Sequence, residues 1–289
     1  MPRPERFDAA NMDMLDDKLL LKRRLQAAGL PVPRGGSAVR VSAALRIFRS
    51  VDKPVIVKPR TGSRGRHTTT YIYTEAELIR AVKIAKQLCV SIVVEEQLFG
   101  PVYRATVIGG KLAGVLRGDP PQVAGDSRHT IQRLIEDKNA RPHPGVKDIA
   151  ISEEMRKFVG RELNQIANSN RERDRQFPIS NKDPLAYVPE AGEIVNLSEK
   201  IGVNYGGSSS EDYDICHPDN RELFLKAAAV AGDPLLGFDF IIPDIAKSYK
   251  EQRAGFIEVN TLPFINLHHD PLLGAPRNAA ALVWDMVGW

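Results

Sequence analysis

The sequence predicts an α+β protein, and three observations carry that prediction. A Gly109-Gly110 pair joins two strand-length segments, Val102 to Ile108 and Lys111 to Leu116, as a hairpin. Thr74 with Glu77 forms a capping-box pattern ahead of Leu78, Ala81, Val82, Ala85 and Leu88, which marks a helix packed on a small sheet. Late in the chain, Gly237 to Pro243 and Gly255 to Asn260 read as two more strands.

The other elements follow in order. Asp17 to Ala28 carries Leu21, Leu25 and Ala28 at helical spacing and stops at Gly29, with Pro31 and Pro33 beyond. Pro54 to Pro59 is a strand, followed by a Gly/Arg loop and by Thr68 to Tyr73, which alternates like a hairpin partner. Ser91 to Glu95 is a further strand, and the Gly109-Gly110 hairpin opens a second sheet. Thr130 to Lys138 and Ser152 to Ile166 read as helices, the second with Met155, Val159 and Ile166 on one face, and Asn139 to Asp148 between them is loop. Glu193 to Leu197 suits a strand, Ser198 to Asp214 is rich in Gly and Ser, and Asp219 to Ala231 is a helix ended by Gly232. There is no internal repeat and no low-complexity linker, so any lobes are continuous rather than tethered.

At 289 residues the chain is long enough for one large domain or two coupled lobes. Its apolar runs are strand-sized, far below the roughly 20 residues of a membrane helix. The N-terminal stretch lacks an apolar core and a small-residue cleavage site, so a cytoplasmic location is expected. Cys89 and Cys216 are too few for a disulfide framework, lie in no zinc-like spacing, and are expected to be buried, inert thiols. A net charge of +4 suits a nucleotide with an anionic substrate as well as it suits nucleic acid. The densest polar run, Asn168 to Gln176, mixes both signs without interleaved aromatics and reads as a solvated loop, so no nucleic-acid partner is expected.

Two groups of residues carry chemistry. Lys58 closes the PVIVKP strand just before Arg60 to Arg66, where Gly62, Ser63, Arg64 and Gly65 could turn backbone N–H groups toward phosphate oxygens; a surface hairpin turn with incidental basic residues reads the same way. No Gly-Lys-Ser/Thr follows, so it is not a Walker loop. Far downstream, Asp239 lies in GFDFII, and Glu258 and Asn260 lie two apart in GFIEVN, hence on one face of a strand. An adjacent strand would bring Asp239 beside them, three hard oxygen ligands of the kind Mg2+ takes; the alternative is a solvent-facing strand edge.

The segments DDKLLLK, PVIVKP, TGSRGR, IVVEEQLFG, GFDFI and IEVNTLP, in this order, resemble the ATP-grasp superfamily from about residue 15 onward. More narrowly, YRATVIGGK, VAGDSRHTIQRLIEDKNARP, NYGG and CHPDN resemble the ATP-grasp module of cyanophycin synthetases and bifunctional glutathione synthetases. The resemblance implies an ATP-grasp fold, two α/β lobes with mainly antiparallel sheets clasping ATP, here residues 15–96 and 97–289. It implies an ADP-forming carboxylate–amine ligase that makes an amide through an acyl phosphate, with ATP, Mg2+ and amino-acid or peptide substrates; a non-catalytic nucleotide-binding subunit is the alternative.

Carried over, the resemblance makes Lys18 and Lys58 phosphate ligands, with Lys22 the alternative to Lys18. Glu95, Glu96, Gln97 and Leu98 form the adenine hinge, and Gly62 to Arg66 close over the phosphates. Asp239, Glu258 and Asn260 hold Mg2+, while Arg104, Arg117 and Asn204 grip the donor carboxylate or its acyl phosphate, and Arg117 or the Gly206-Gly207 backbone serves a later oxyanion. Three departures stand out: Val102 replaces the carboxylate that usually binds ribose, Phe264 follows Pro263 where glycine is usual, and only a short lead-in precedes the module. The substrate-binding domain usual ahead of it is therefore expected to be missing, truncated or supplied by a partner. A homo-oligomer is also in keeping with the resemblance, and the His268-His269-Asp270 cluster is read as loop rather than as a second metal site.

Overall fold

A computed structural model describes residues 9–61, 67–169 and 183–288. Helix α1 (Ala9–Asp16) leads into α2 (Lys18–Ala27), with Asp17 between them as the N-cap of α2, its carboxylate accepting from the Leu19 and Leu20 N–H groups. Gly29, with φ of 73°, ends the turn after α2 in the left-handed region that glycine tolerates.

A four-stranded antiparallel sheet follows, in the order β1 (Gly35–Ala38), β4 (Ile92–Glu96), β2 (Val55–Pro59), β3 (Thr69–Ile72). Its core comes from α3 (Val41–Ser50) and α4 (Glu75–Ala85), whose Ala44, Phe48, Leu78, Val82 and Ala85 pack on Val55, Val57 and Val94. The expected capping box at Thr74 and Glu77 is formed in both directions. The helix stops at Ala85, however, so Leu88 is exposed rather than part of the apolar stripe.

The larger sheet runs β11 (Gly255–Asn260), β10 (Leu235–Ile241), β5 (Val102–Ile108), β6 (Lys111–Asp119), β9 (Ser208–Glu211), β12 (Leu273–Gly274). Both hairpin glycines, Gly109 and Gly110, have positive φ, as a tight two-residue turn demands. On one face Tyr103, Ala105, Val107, Phe238 and Phe240 pack against Leu21 and Leu25 of α2 and Phe224 of α7 (Pro218–Ala231). Phe224 meets Phe240 edge-on at 5.3 Å, a favourable ring geometry. Helix α8 (Ala279–Val287), capped by Asn278, closes a smaller cluster with Ala279 and Val283 on Ile108 and Leu235.

By contact density the chain divides into two compact units, Met1–Arg117 with Glu211–Trp289, and Gly118–Ser210. The second unit pairs β7 (Gln122–Ala124) antiparallel with β8 (Ile194–Asn196). Its core joins Ile131 and Ile135 of α5 (Ile131–Asn139) to Met155, Val159 and Leu163 of α6 (Glu153–Ser169). The expected loop at Asn168 to Gln176 begins inside α6, and its remainder lies outside the described residues, as does the side chain of Ile166. Among the described residues no helix is long and apolar enough to cross a membrane.

The two thiols differ. Cys216 is buried and its pKa is pushed up to about 11 by desolvation, in keeping with an inert thiol. Cys89 is only half-buried, and although burial raises its pKa, hydrogen bonds from the Thr61 hydroxyl and from the Ser91, Thr61 and Arg60 backbone bring it below the ordinary thiol value. The expectation that both are buried therefore fails at Cys89.

Candidate active site

The sheet face opposite the aromatic core carries the polar residues. In the antiparallel register Asp239 pairs with Arg104 on β5 and with Glu258 on β11, and Gly237 pairs with Thr106 and Asn260. Residues directly opposite each other, or two apart on a strand, share a face, so these six positions form one patch. A strict alternation along GFIEVN would put Phe256 on that patch as well. The register instead shifts after Asp239, so that Phe240 pairs with Phe256 and Ile257 is the extra residue. This bulge leaves Phe256 in the core while Glu258 and Asn260 face the patch.

Each carboxylate has a cation. Arg104 forks onto Asp239, with Nε donating to Oδ1 and Nη2 to Oδ2 at 3.0 Å. Lys18, at the start of α2, places Nζ 3.1 Å from Glu258 Oε1. Burial pushes the Asp239 carboxyl above the ordinary aspartate value; Arg104 opposes this and the Glu258 charge adds to it. Asn260 Nδ2 is buried without a well-formed hydrogen bond among the described residues, although its amide lies near enough to Asp239 to favour the ionised form.

The structure separates the two α2 lysines that the sequence left as alternatives. Lys22, one turn after Lys18, places Nζ 3.0 Å from Glu95 Oε2, and Lys58 pairs with the other oxygen of the same carboxylate. Lys18 thus belongs to the acidic patch and Lys22 to the end of β4. The start of α2 is held by Asp17, which accepts from Arg60 Nε at 2.9 and 2.8 Å and so ties the helix to the end of β2. Desolvation raises the Asp17 pKa, but Arg60 and the Leu20 and Leu19 N–H groups outweigh it and the carboxyl stays below its ordinary value.

Glu95 is buried, which pushes its carboxyl up, yet the charges of Lys58 and Lys22 prevail and hold it below the ordinary glutamate range. A depressed carboxylate adds stability that is full above its unfolded pKa and is lost as pH falls through the folded one. Glu95→Gln, which leaves two buried ammonium groups facing a neutral amide, is therefore expected to cost on the order of 3 kcal/mol at neutral pH. Denaturant titrations across pH should show that difference narrowing only below about pH 4.5, the ordinary value.

The remaining hinge side chains also have partners within the fold. Glu96 accepts from the Arg34 backbone and side chain and from Arg253, and Gln97 donates its N–H to Pro54 O and accepts from Tyr71 N at 2.7 Å. Leu98 is buried against Gly255. Val102, where the resemblance leads one to look for a ribose carboxylate, pairs with Ile241 at the start of β5. Arg117 is half-buried on β6, and Asn204 is exposed in a short 3-10 helix, Val203–Tyr205, of the second unit. Gly62, Ser63, Arg64, Gly65 and Arg66 lie outside the described residues.

Sequence reasoning passed over Thr106, Glu211 and a role for His268. His268 Nδ1 is 2.5 Å from Glu211 Oε2, and its Nε2 is 2.7 Å from Thr106 Oγ1, all three being buried. His269 Nε2 accepts the Ala280 N–H, so both imidazoles of the cluster serve the fold. No spacing signal could have joined partners so far apart in the chain.

Comparison with known proteins places this geometry. No protein-family model matches the chain. It is 30% identical over 277 residues to cyanophycin synthetase of Trichormus variabilis, covering 96% of this chain and 29% of that protein. It is 33% identical over 279 residues to cyanophycin synthetase of Synechocystis sp., covering 96% and 30%. The glutathione biosynthesis bifunctional protein GshAB of Clostridium perfringens is 28% identical over 277 residues, covering 95% and 34%. The chain thus spans about a third of the length of the curated relatives it matches.

Among solved structures, a bifunctional glutathione synthetase from Pasteurella multocida superposes with a TM-score of 0.61 at 24% identity, covering 97% of this chain and 36% of that one. The ATP-grasp ligase PsnB, complexed with a phosphomimetic variant of its minimal precursor, Mg and ADP, gives 0.51 at 14% identity, covering 96% and 60%. The protein has the ATP-grasp fold. Within that fold it is similar, along nearly its whole length, to a segment of cyanophycin synthetase and of GshAB.

Proposed function

We propose that the protein is an ATP-dependent carboxylate–amine ligase that forms an amide through an acyl phosphate and releases ADP and phosphate. The observation that carries this reading is the Asp239–Glu258 pair on adjacent strands, with Lys18 and Arg104 as counter-cations and the Asn260 amide beside it. Two carboxylates and an amide on one sheet face supply the hard oxygen ligands that a divalent cation such as Mg2+ takes, with Lys18 and the cation sharing Glu258. When bound, Mg2+ would neutralise charge on the ATP phosphates.

The chain's own residues do the rest. Lys18 and Lys58 balance charge on the phosphates, and the backbone of Glu95 to Leu98 receives the adenine, with Glu95 holding Lys58 and Lys22 in place. Gly62 to Arg66 close over the polyphosphate. Arg104 and Arg117 hold the donor carboxylate, one oxygen of which attacks the γ-phosphorus as the bond to the ADP oxygen breaks. An amine nitrogen then attacks the acyl carbon, phosphate leaves with the C–O bond electrons, and the nitrogen loses a proton. No side-chain nucleophile is required. Asn204 keeps its part in gripping the donor on the resemblance alone. The same reading assigns residues 15–96 and 97–289 to the two lobes, amino acids or peptides as substrates, no nucleic-acid partner, and the cytoplasm as location. A homo-oligomer completes the proposal.

The test is ADP release with pools of amino acids and short peptides, with hydroxylamine added to trap an acyl phosphate as the hydroxamate. Turnover with one donor and a hydroxamate product are expected. Tight ATP binding with neither would move the assignment to a non-catalytic nucleotide-binding subunit, the reading that Val102 favours.

A further inference from the structure

After Asn260 the chain does not leave the sheet. At Gly237 an added Cβ would lie 2.7 Å from Pro263 Cβ and 2.9 Å from Arg104 Cδ, so Pro263 and Arg104 both lie over that glycine. The segment then forms a short 3-10 helix, Ile265–His268, whose last side chain reaches Thr106 on β5. Gly237 lies opposite both Asn260 and Thr106 in the register. Residues 261–268 therefore form a strap that starts at the end of β11, crosses β10 beside Arg104, and is fastened on β5 and β9.

The fastening is polar and specific. Glu211 Oε1 accepts the Val115 N–H at 2.7 Å and the Tyr213 N–H at 3.3 Å, while its other oxygen takes His268 Nδ1. His268 O accepts the Arg277 N–H at 2.7 Å. Gly114 leaves room for the pair, since a Cβ there would lie 2.4 Å from His268 Nδ1 and 2.8 Å from Glu211 Oε2. A buried polar cluster of this kind is a poor way to gain stability, because apolar side chains of the same volume pack as well. What it supplies is a single register, since every donor and acceptor must find its partner.

We infer that His268, through Thr106 and Glu211, is a positioning residue that fixes the strap and thereby the orientation of Asn260 and Pro263 beside Asp239 and Arg104. The inference rests on the ligase reading above. It is tested with Mn2+ and ADP, following Mn2+ binding by electron paramagnetic resonance or calorimetry, alongside thermal melting. Thr106→Val keeps the shape and removes the hydroxyl, leaving His268 Nε2 without its partner; Thr106→Ser restores it.

The valine variant is expected to bind Mn2+–ADP about tenfold more weakly. The serine variant should bind within about twofold of wild type. Glu211→Gln, read in the same way, carries the test if the valine variant does not fold. Wild-type binding together with unchanged affinity in Thr106→Val, or in Glu211→Gln where that variant carries the test, would overturn this inference alone, whatever the melting temperatures do. A wild-type protein that binds no Mn2+–ADP would overturn the ligase reading and this inference with it.

Discussion

Asp239→Asn and Glu258→Gln are each expected to lower amide-forming turnover by on the order of a thousandfold, with the fold retained. Both changes keep the size of the side chain and remove one negative charge from the patch. The register places these two carboxylates opposite each other, so neither can be replaced by a neighbour. Phosphoryl transfer relies on positioning and charge stabilisation rather than on covalent chemistry by the protein, which is why losing one anionic ligand is costly. The measurement is ADP release and hydroxamate formation with the donor identified by screening, beside ATP affinity. Turnover within tenfold of wild type in both variants would sink the assignment of this patch; ATP binding that survives while a wild-type control also fails to turn over would point to the non-catalytic reading.

Parts of this arrangement were legible because local chemistry specifies them. The Gly109-Gly110 turn needs positive φ at both positions, which few other pairs supply, and the capping box at Thr74 is a short-range reciprocal hydrogen bond. GFDFII and GFIEVN announced themselves by placing an acid or amide inside apolar strands. The bulge at Ile257, which decides which side of the sheet Phe256 takes, depends on pairing with β10 and has no local signal.

Elements stabilised mainly by tertiary contacts went unread. Helix α3 begins at Val41 after Arg40, an N-cap residue with no side-chain cap, and follows the short strand Gly35–Ala38, whose Gly35 comes so close to Val94 O that a Cβ would lie 2.2 Å from it. Strand β9, Ser-Ser-Ser-Glu, lies in a Gly/Ser-rich stretch with poor strand propensity and is a strand because it has neighbours in the sheet. Lys18 and Lys22 are one helical turn apart on α2, and only the positions of Glu258 and Glu95 tell them apart. His268 lies 57 residues from Glu211 and 162 from Thr106, distances across which no motif extends.

Arg104→Met is expected to destabilise the cation-free protein by on the order of 3–5 kcal/mol, because it leaves the Asp239 carboxylate buried without its guanidinium. The pH dependence has a definite sign. The Asp239 pKa is already raised in the folded state, burial outweighing Arg104, so ionisation of this group opposes folding. Removing Arg104 raises it further. The penalty should therefore be smallest at pH values below the wild-type folded pKa, where the carboxyl is protonated in both folded proteins, and should grow as pH rises from that value toward the still higher folded pKa of the variant.

A divalent cation can take over the role that Arg104 leaves. Thermal melting with and without Mn2+ should show a larger upward shift in Arg104→Met than in wild type, since in wild type the cation must displace the guanidinium fork before it reaches Asp239. Lys22→Met removes the same formal charge from α2 without touching Asp239, and its Mn2+ response should match wild type. Equal Mn2+ shifts in wild type and Arg104→Met would mean that Asp239 is not a cation ligand. Equal gains in the Arg104 and Lys22 variants would mean that only the net field had changed.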